Sequence, residues 1–118
     1  MQSVTLDAPG LDWCEYETCR ELTVHAALAT FVTAKDCAII VVPAGTPVTK
    51  DPRPGREGWV LDWTRARVTV PRQESGEDMD DWWERTRSER VASDYLETFA
   101  VEVPADAVTP GGVWEVEL

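Results

Sequence analysis

Polar and apolar residues alternate along much of this chain. From Leu22 to Val32 the even positions read Leu, Val, Ala, Leu, Thr, Val. That period of two predicts a strand, with a helix as the alternative because "HAALATF" also suits helical propensity. "CAIIVV" (37–42) is apolar at every position, the pattern of a central strand covered on both faces. After a turn at Pro43, Ala44 and Gly45, "TPVTK" continues as an edge strand, where Pro47 is tolerated. A Pro/Gly loop over 51–58 then leads into "WVLDW", which places Trp59, Leu61 and Trp63 on one face. "ARVTV" places Ala66, Val68 and Val70 together, so the two runs form a tight hairpin or one bent strand.

The ends follow the same logic. Residues 2–6 predict a short first strand, and "LDWCEYETC" (11–19) reads as irregular or as one helical turn. "YLETFAVEV" alternates, with Phe99, Val101 and Val103 on one face. "PADAVTPGG" reads as a loop or a single 3₁₀ turn, and "VWEVEL" as a last strand with Trp114, Val116 and Leu118 inward.

One stretch, "ESGEDMDDWWERTRSER", changes period. Ser75 followed by Asp78 resembles a helix N-cap with an acid three residues on. Met79, Trp82, Trp83 and Thr86 fall within a stripe about 100° wide, the width expected of a helix lying on a core. Glu77, Asp80, Asp81 and Glu84 fall on the opposite side. Val91, Ala92 and Leu96 fall off the stripe, which ends the predicted helix near residues 90–94. The fold class that follows is α+β and mostly antiparallel β. It is a small rolled sheet or barrel of six or seven short strands, with one amphipathic helix near 76–92 packed on it. At 118 residues this is one domain, long enough to bury a core without staples.

Charge narrows the function. The net charge is -11, which argues against direct binding of a nucleic-acid backbone. The charge is also uneven. Residues 51–73 hold Arg53, Arg56, Arg65, Arg67 and Arg72 against three acids, whereas residues 74–118 hold thirteen acids and three bases. The acidic helix face, Glu77, Asp80, Asp81 and Glu84, carries like charges at i,i+3 and i,i+4, a mildly unfavourable arrangement. Asp81–Arg85 and Glu84–Arg87 pairs offset part of it. A partner with a basic surface is one reason to retain such a ridge. Helix-dipole complementarity and solubility are the plainer one. Arg53, Arg56, Arg65 and Arg67 form a secondary candidate surface, set against a solvated loop whose arginines pair with local acids.

Chemistry is sparse. No nucleophile elbow, phosphate-cradling loop, HExxH or CxxC occurs, and the single histidine, His25, lies in an alternating strand. The expectation is a non-enzymatic protein without a cofactor. Cys14, Cys19, His25 and Cys37 could be counted as a zinc set, but their spacing lacks the close cysteine pair of a zinc knuckle. An odd cysteine count and an N-terminus without an apolar core predict a cytoplasmic protein, and no run is long enough for a membrane span.

The run "ATFVTAKDCAIIVVPAGTPVTKD", followed by "GW", resembles small uncharacterised accessory proteins of actinobacterial phages, as does the preference for arginine over lysine. The resemblance covers about a third of the chain. It implies a phage origin, the host cytoplasm as location, and a role in binding and inhibiting a host protein or defence complex. With the acidic helix, that becomes a DNA-mimic hypothesis. A self-assembling or virion-type component and a small zinc domain are the alternatives.

Overall fold

A computed structural model describes residues 2–7, 14–27, 37–62 and 64–111. Among them lie eight strands and two helices, an α+β arrangement that is mostly antiparallel. β1 (Ser3–Thr5), β3 (Leu22–Ala27) and β4 (Cys37–Val42) form a three-stranded sheet in the order β1-β4-β3. β2 (Tyr16–Thr18), β5 (Pro47–Lys50), β6 (Trp59–Leu61), β7 (Glu102–Val103) and β8 (Val108–Pro110) form a second sheet. Its order is β7-β6-β5-β2-β8, and it curls strongly into a half-barrel. The pairings are antiparallel except β1 with β4.

β4 is central, as its composition predicts, with β1 on one side and β3 on the other. Its covering is one-sided. Ala38, Ile40 and Val42 are fully buried, while Cys37, Ile39 and Val41 are only half-buried. The buried face packs on α2 (Arg87–Thr98), which brings Val91, Ala92 and Leu96 down onto it. Burying an aliphatic side chain such as Ile40 contributes roughly 1.5–3 kcal/mol, so this β-on-α layer is the main source of cohesion in that half. The same apolar cluster continues through Val48, Leu61, Val103 and Ala107 of the half-barrel.

The chain passes from one sheet to the other through Pro43, Ala44, Gly45 and Thr46. Gly45 has φ +88°, a conformation that favours glycine. Two buried threonines lock this corner to β2. Thr18 Oγ1 donates to Pro43 O (2.9 Å), and Thr46 Oγ1 donates to the same carbonyl (2.7 Å). The Thr46 amide donates in turn to Thr18 Oγ1 (3.1 Å).

Several expectations need correction. β5 is not an edge strand; it sits between β6 and β2. Pro47 is accommodated because it is the first residue, the other place a sheet admits proline. Residues 16–18 form a strand, not a helical turn, because β8 and β5 pair with them on both sides. "ARVTV" keeps its alternation, with Ala66 and Val68 buried, but is not a ladder strand. Asp7 holds it instead: its amide donates to Arg67 O, and its carboxylate accepts from Thr69 N and Oγ1. "YLET" is helical, not extended, and Phe99 is exposed while Val101 and Val103 are buried. Residues 22–27 are a strand and Ala105–Ala107 a 3₁₀ turn, as read, but Val108–Pro110 of the same predicted loop form β8, because β2 pairs with them. Trp63, residues 28–32 of the predicted strand and the predicted last strand at 113–118 lie outside the described residues.

The single helix near 76–92 is two helices, α1 (Met79–Arg85) and α2, meeting at Thr86. α2 runs on to Thr98, past the predicted end, because Val91, Ala92 and Leu96 are its core face.

Candidate functional site

α1 is placed by a turn and a cap. Glu77 N donates to Glu74 O (3.0 Å), closing a turn in which Gly76 takes φ +80°. Asp78 is the N-cap, not Ser75: its carboxylate accepts from Asp80 N (3.2 Å). Asp80 and Asp81 then occupy the first turn, where the orphan amides favour negative charge. Trp82 anchors the helix, its Nε1 donating to Pro71 O at 2.9 Å.

The expected acidic ridge is not uniform. Glu77 leaves it. Its side chain is 13% exposed and accepts from Arg85 Nε and Nη2, both at 2.8 Å. It also accepts from the Glu74 amide. These bonds, the Arg85 guanidinium first and the Glu74 amide second, hold its carboxyl down at about 2. Arg85, expected beside Asp81, thus reaches back across the turn and also donates to Arg72 O. Glu84 pairs with Arg87 at 3.2 Å, as its spacing predicts. Asp80 and Asp81 are exposed and have no ion-pair partner among the described residues.

On the same helix lie residues whose sequence pattern predicts a core position. Met79 is 51% exposed and Trp83 48% exposed, and α1 buries no residue at all. Arg90 lies over the Trp83 ring, 3.7 Å from its centroid, and donates to the Trp83 carbonyl. Burial is the leading cause that lowers the Arg90 pKa. The hollow between the helices has a volume of about 430 Å³ and is lined by Asp80, Trp83, Glu84, Arg87, Arg90 and Asp94. A rigid indole held by an arginine, among the carboxylates of Asp80, Glu84 and Asp94, suits a surface that is partly apolar and carries basic groups. Tryptophan and methionine are enriched in such contacts. The signal that exposes Trp83 and Met79 is present in the sequence: the Val91, Ala92 and Leu96 stripe lies out of phase with theirs.

The other candidates separate. Arg53 is held by Asp51 and Glu102, and Arg56 lies 3.6 Å from Glu102. Arg65 lies 3.9 Å from Asp62, and Arg67 donates to Thr64 O. The arginine surface is thus a set of local ion pairs and turn contacts. The Arg53 hydrogen bonds hold the Asp51 carboxyl down at about 2. Asp62, which follows Leu61 in "WVLDW", caps a turn, accepting from Thr64 N and Oγ1. Cys14, Cys19, His25 and Cys37 are not assembled: no three His, Cys, Asp or Glu residues among those described are grouped to hold a metal ion. His25 is exposed on β3, opposite Ile39.

No helix among the described residues is long and apolar enough to cross a membrane. No family model, curated protein or solved structure matches this chain.

Proposed function

We propose that this chain is a non-enzymatic protein-binding module that docks a basic surface of another protein through α1. One observation carries the reading: Trp83, half exposed, shares a hollow with the carboxylates of Asp80 and Glu84, and Met79 and Asp81 are exposed on the same short helix. The aromatic and the thioether supply desolvated contact area, and the acids steer and orient a cationic partner. The acidic balance of the C-terminal third adds a long-range field of the same sign. Together with the resemblance to phage accessory proteins, this favours a host protein as partner, such as a nucleic-acid-binding groove of a defence complex.

Affinity purification from an actinobacterial lysate, with the wild-type chain and the triple variant D80K/D81K/E84K compared, tests it. A basic protein retained by the wild type and released by salt is the expected result, with affinity reduced about 100-fold or more in the variant. Retention that is flat in salt and unchanged in the variant would remove α1 as the docking element. A chain that retains nothing, and whose mass rises with its own concentration, would favour self-assembly.

A further inference from the structure

A second concavity lies on the half-barrel, with no residue in common with α1. Its volume is about 590 Å³, within the 300–1,000 Å³ range of small-molecule sites. Its floor is built on the central strands β2, β5 and β6, where register is fixed by the pairs Tyr16–Val48 and Lys50–Trp59. Two half-buried aromatic rings, Tyr16 and Trp59, meet there with centroids 4.6 Å apart and planes tilted by 56°. Trp59 reaches Tyr16 across β5, and Lys50 Nζ lies 5.8 Å from the Trp59 centroid. Glu15, Asp62 and Arg65 line the polar side, and Thr49 adds a hydroxyl.

The charges define the ligand class. Lys50 and Arg65 oppose Glu15 and Asp62, so the lining sums to zero among the described residues, in a chain of net charge -11. An anion such as a nucleotide meets two carboxylates and the field of the whole molecule. A quaternary ammonium ion meets two cations. A wholly apolar ligand would desolvate four charged groups without replacing their hydrogen bonds. A neutral, hydroxyl-rich ring avoids all three costs. Its C–H face lies against an aromatic ring, and each hydroxyl can donate to a carboxylate or accept from ammonium and guanidinium. We propose that this cleft binds a neutral sugar through Trp59 and Tyr16, with Glu15, Lys50 and Asp62 as hydroxyl partners.

Ligand-observed saturation-transfer NMR on the intact chain tests this with maltose, cellobiose and N,N′-diacetylchitobiose. AMP and choline are the charged comparisons. The expected result is saturation of at least one disaccharide and of neither charged compound. Affinity falls about tenfold or more in Trp59→Ala, and several-fold in Glu15→Ala and in Lys50→Ala. Glu15 and Lys50 are exposed, so those two variants remain informative if Trp59→Ala does not fold. The variant D80K/D81K/E84K keeps its sugar binding, which separates this site from α1. No saturation of any disaccharide, preferential binding of AMP or choline, or disaccharide binding unchanged in Glu15→Ala and Lys50→Ala would overturn the proposal.

Discussion

The two helices follow one another with only Thr86 between them, yet they meet the rest of the protein in opposite ways. α2 buries Val91, Ala92 and Leu96 against β4; α1 buries nothing and leaves Met79 and Trp83 in solvent. At 100° per residue, the α2 stripe centres roughly opposite Met79 and Trp83. The junction barely interrupts the rod: Thr86 N and Oγ1 both donate to Trp82 O, and Arg90 N donates to Thr86 O. A nearly continuous helix can lay only one of two opposed stripes on a sheet. The twelve-residue helix with three core aliphatics takes the sheet, and Met79 and Trp83 turn outward while Trp82 stays half-buried and Thr86 buried. Tryptophan content alone therefore says little about burial; the phase of the next two turns decides it.

The largest test of this contrast compares one residue from each stripe. Leu96→Ala should cost about 2–4 kcal/mol in urea denaturation, because it empties a buried site between α2 and the sheet. Trp83→Ala should cost about 0.5–1 kcal/mol, mostly through the lost Arg90 contact. Equal costs would mean that Trp83 is a core residue after all and would break the comparison.

Trp82 is the exception within α1 and gives a second, smaller effect. Its indole N–H is tied to Pro71 O, so Trp82→Phe should cost about 1 kcal/mol by leaving that carbonyl without its donor. Amide exchange should report the loss locally. Residues 79–85 lose protection, and residues 91–96 keep theirs. A uniform loss would make the two helices a single cooperative unit.

Much of this was legible in the sequence, and the misses share a cause. Period two marks the buried positions of 66–68 correctly, because side-chain alternation survives without a ladder. The all-apolar run of β4 gives its central place but not its single fully buried face. Alternation does not reveal that Asp7 holds residues 67–69 in place of a neighbouring strand, a contact 62 residues apart in the chain. The Met79–Thr86 stripe spans too few turns to set the phase of the next, so Val91, Ala92 and Leu96 end the predicted helix although they are its core face. Within the site, Asp80, Asp81 and Glu84 are exposed as expected. Glu77 was withdrawn by Arg85, eight residues on, a spacing no helical pairing rule covers.

That withdrawn glutamate gives the third test. Its folded carboxyl titrates at about 2, against an ordinary 4.5. A depressed folded value stabilises the fold fully above the ordinary value, and the contribution disappears as pH falls from 4.5 through 2. Asp51 behaves alike between 3.8 and about 2 through Arg53, far from α1 in the chain. Glu77→Gln should therefore be less stable than wild type at pH 7 and converge on it towards pH 2. Asp51→Asn should show the same convergence with α1 intact. Parallel stability curves for Glu77→Gln and wild type would show that the Arg85 contact does not hold α1 in solution.

The smallest stability effect belongs to Met79. Half its surface is in water, and α1 has no buried residue for it to pack with, so Met79→Ala should change stability by no more than about 0.5 kcal/mol. If α1 docks a partner, the same substitution should weaken that complex by about tenfold, since a contact residue stabilises only what covers it. Denaturation and binding, measured on one variant, then separate the two halves of the argument. A stability loss with binding intact returns Met79 to the core stripe. A binding loss with stability intact leaves the α1 stripe as a surface kept apolar for something other than this fold.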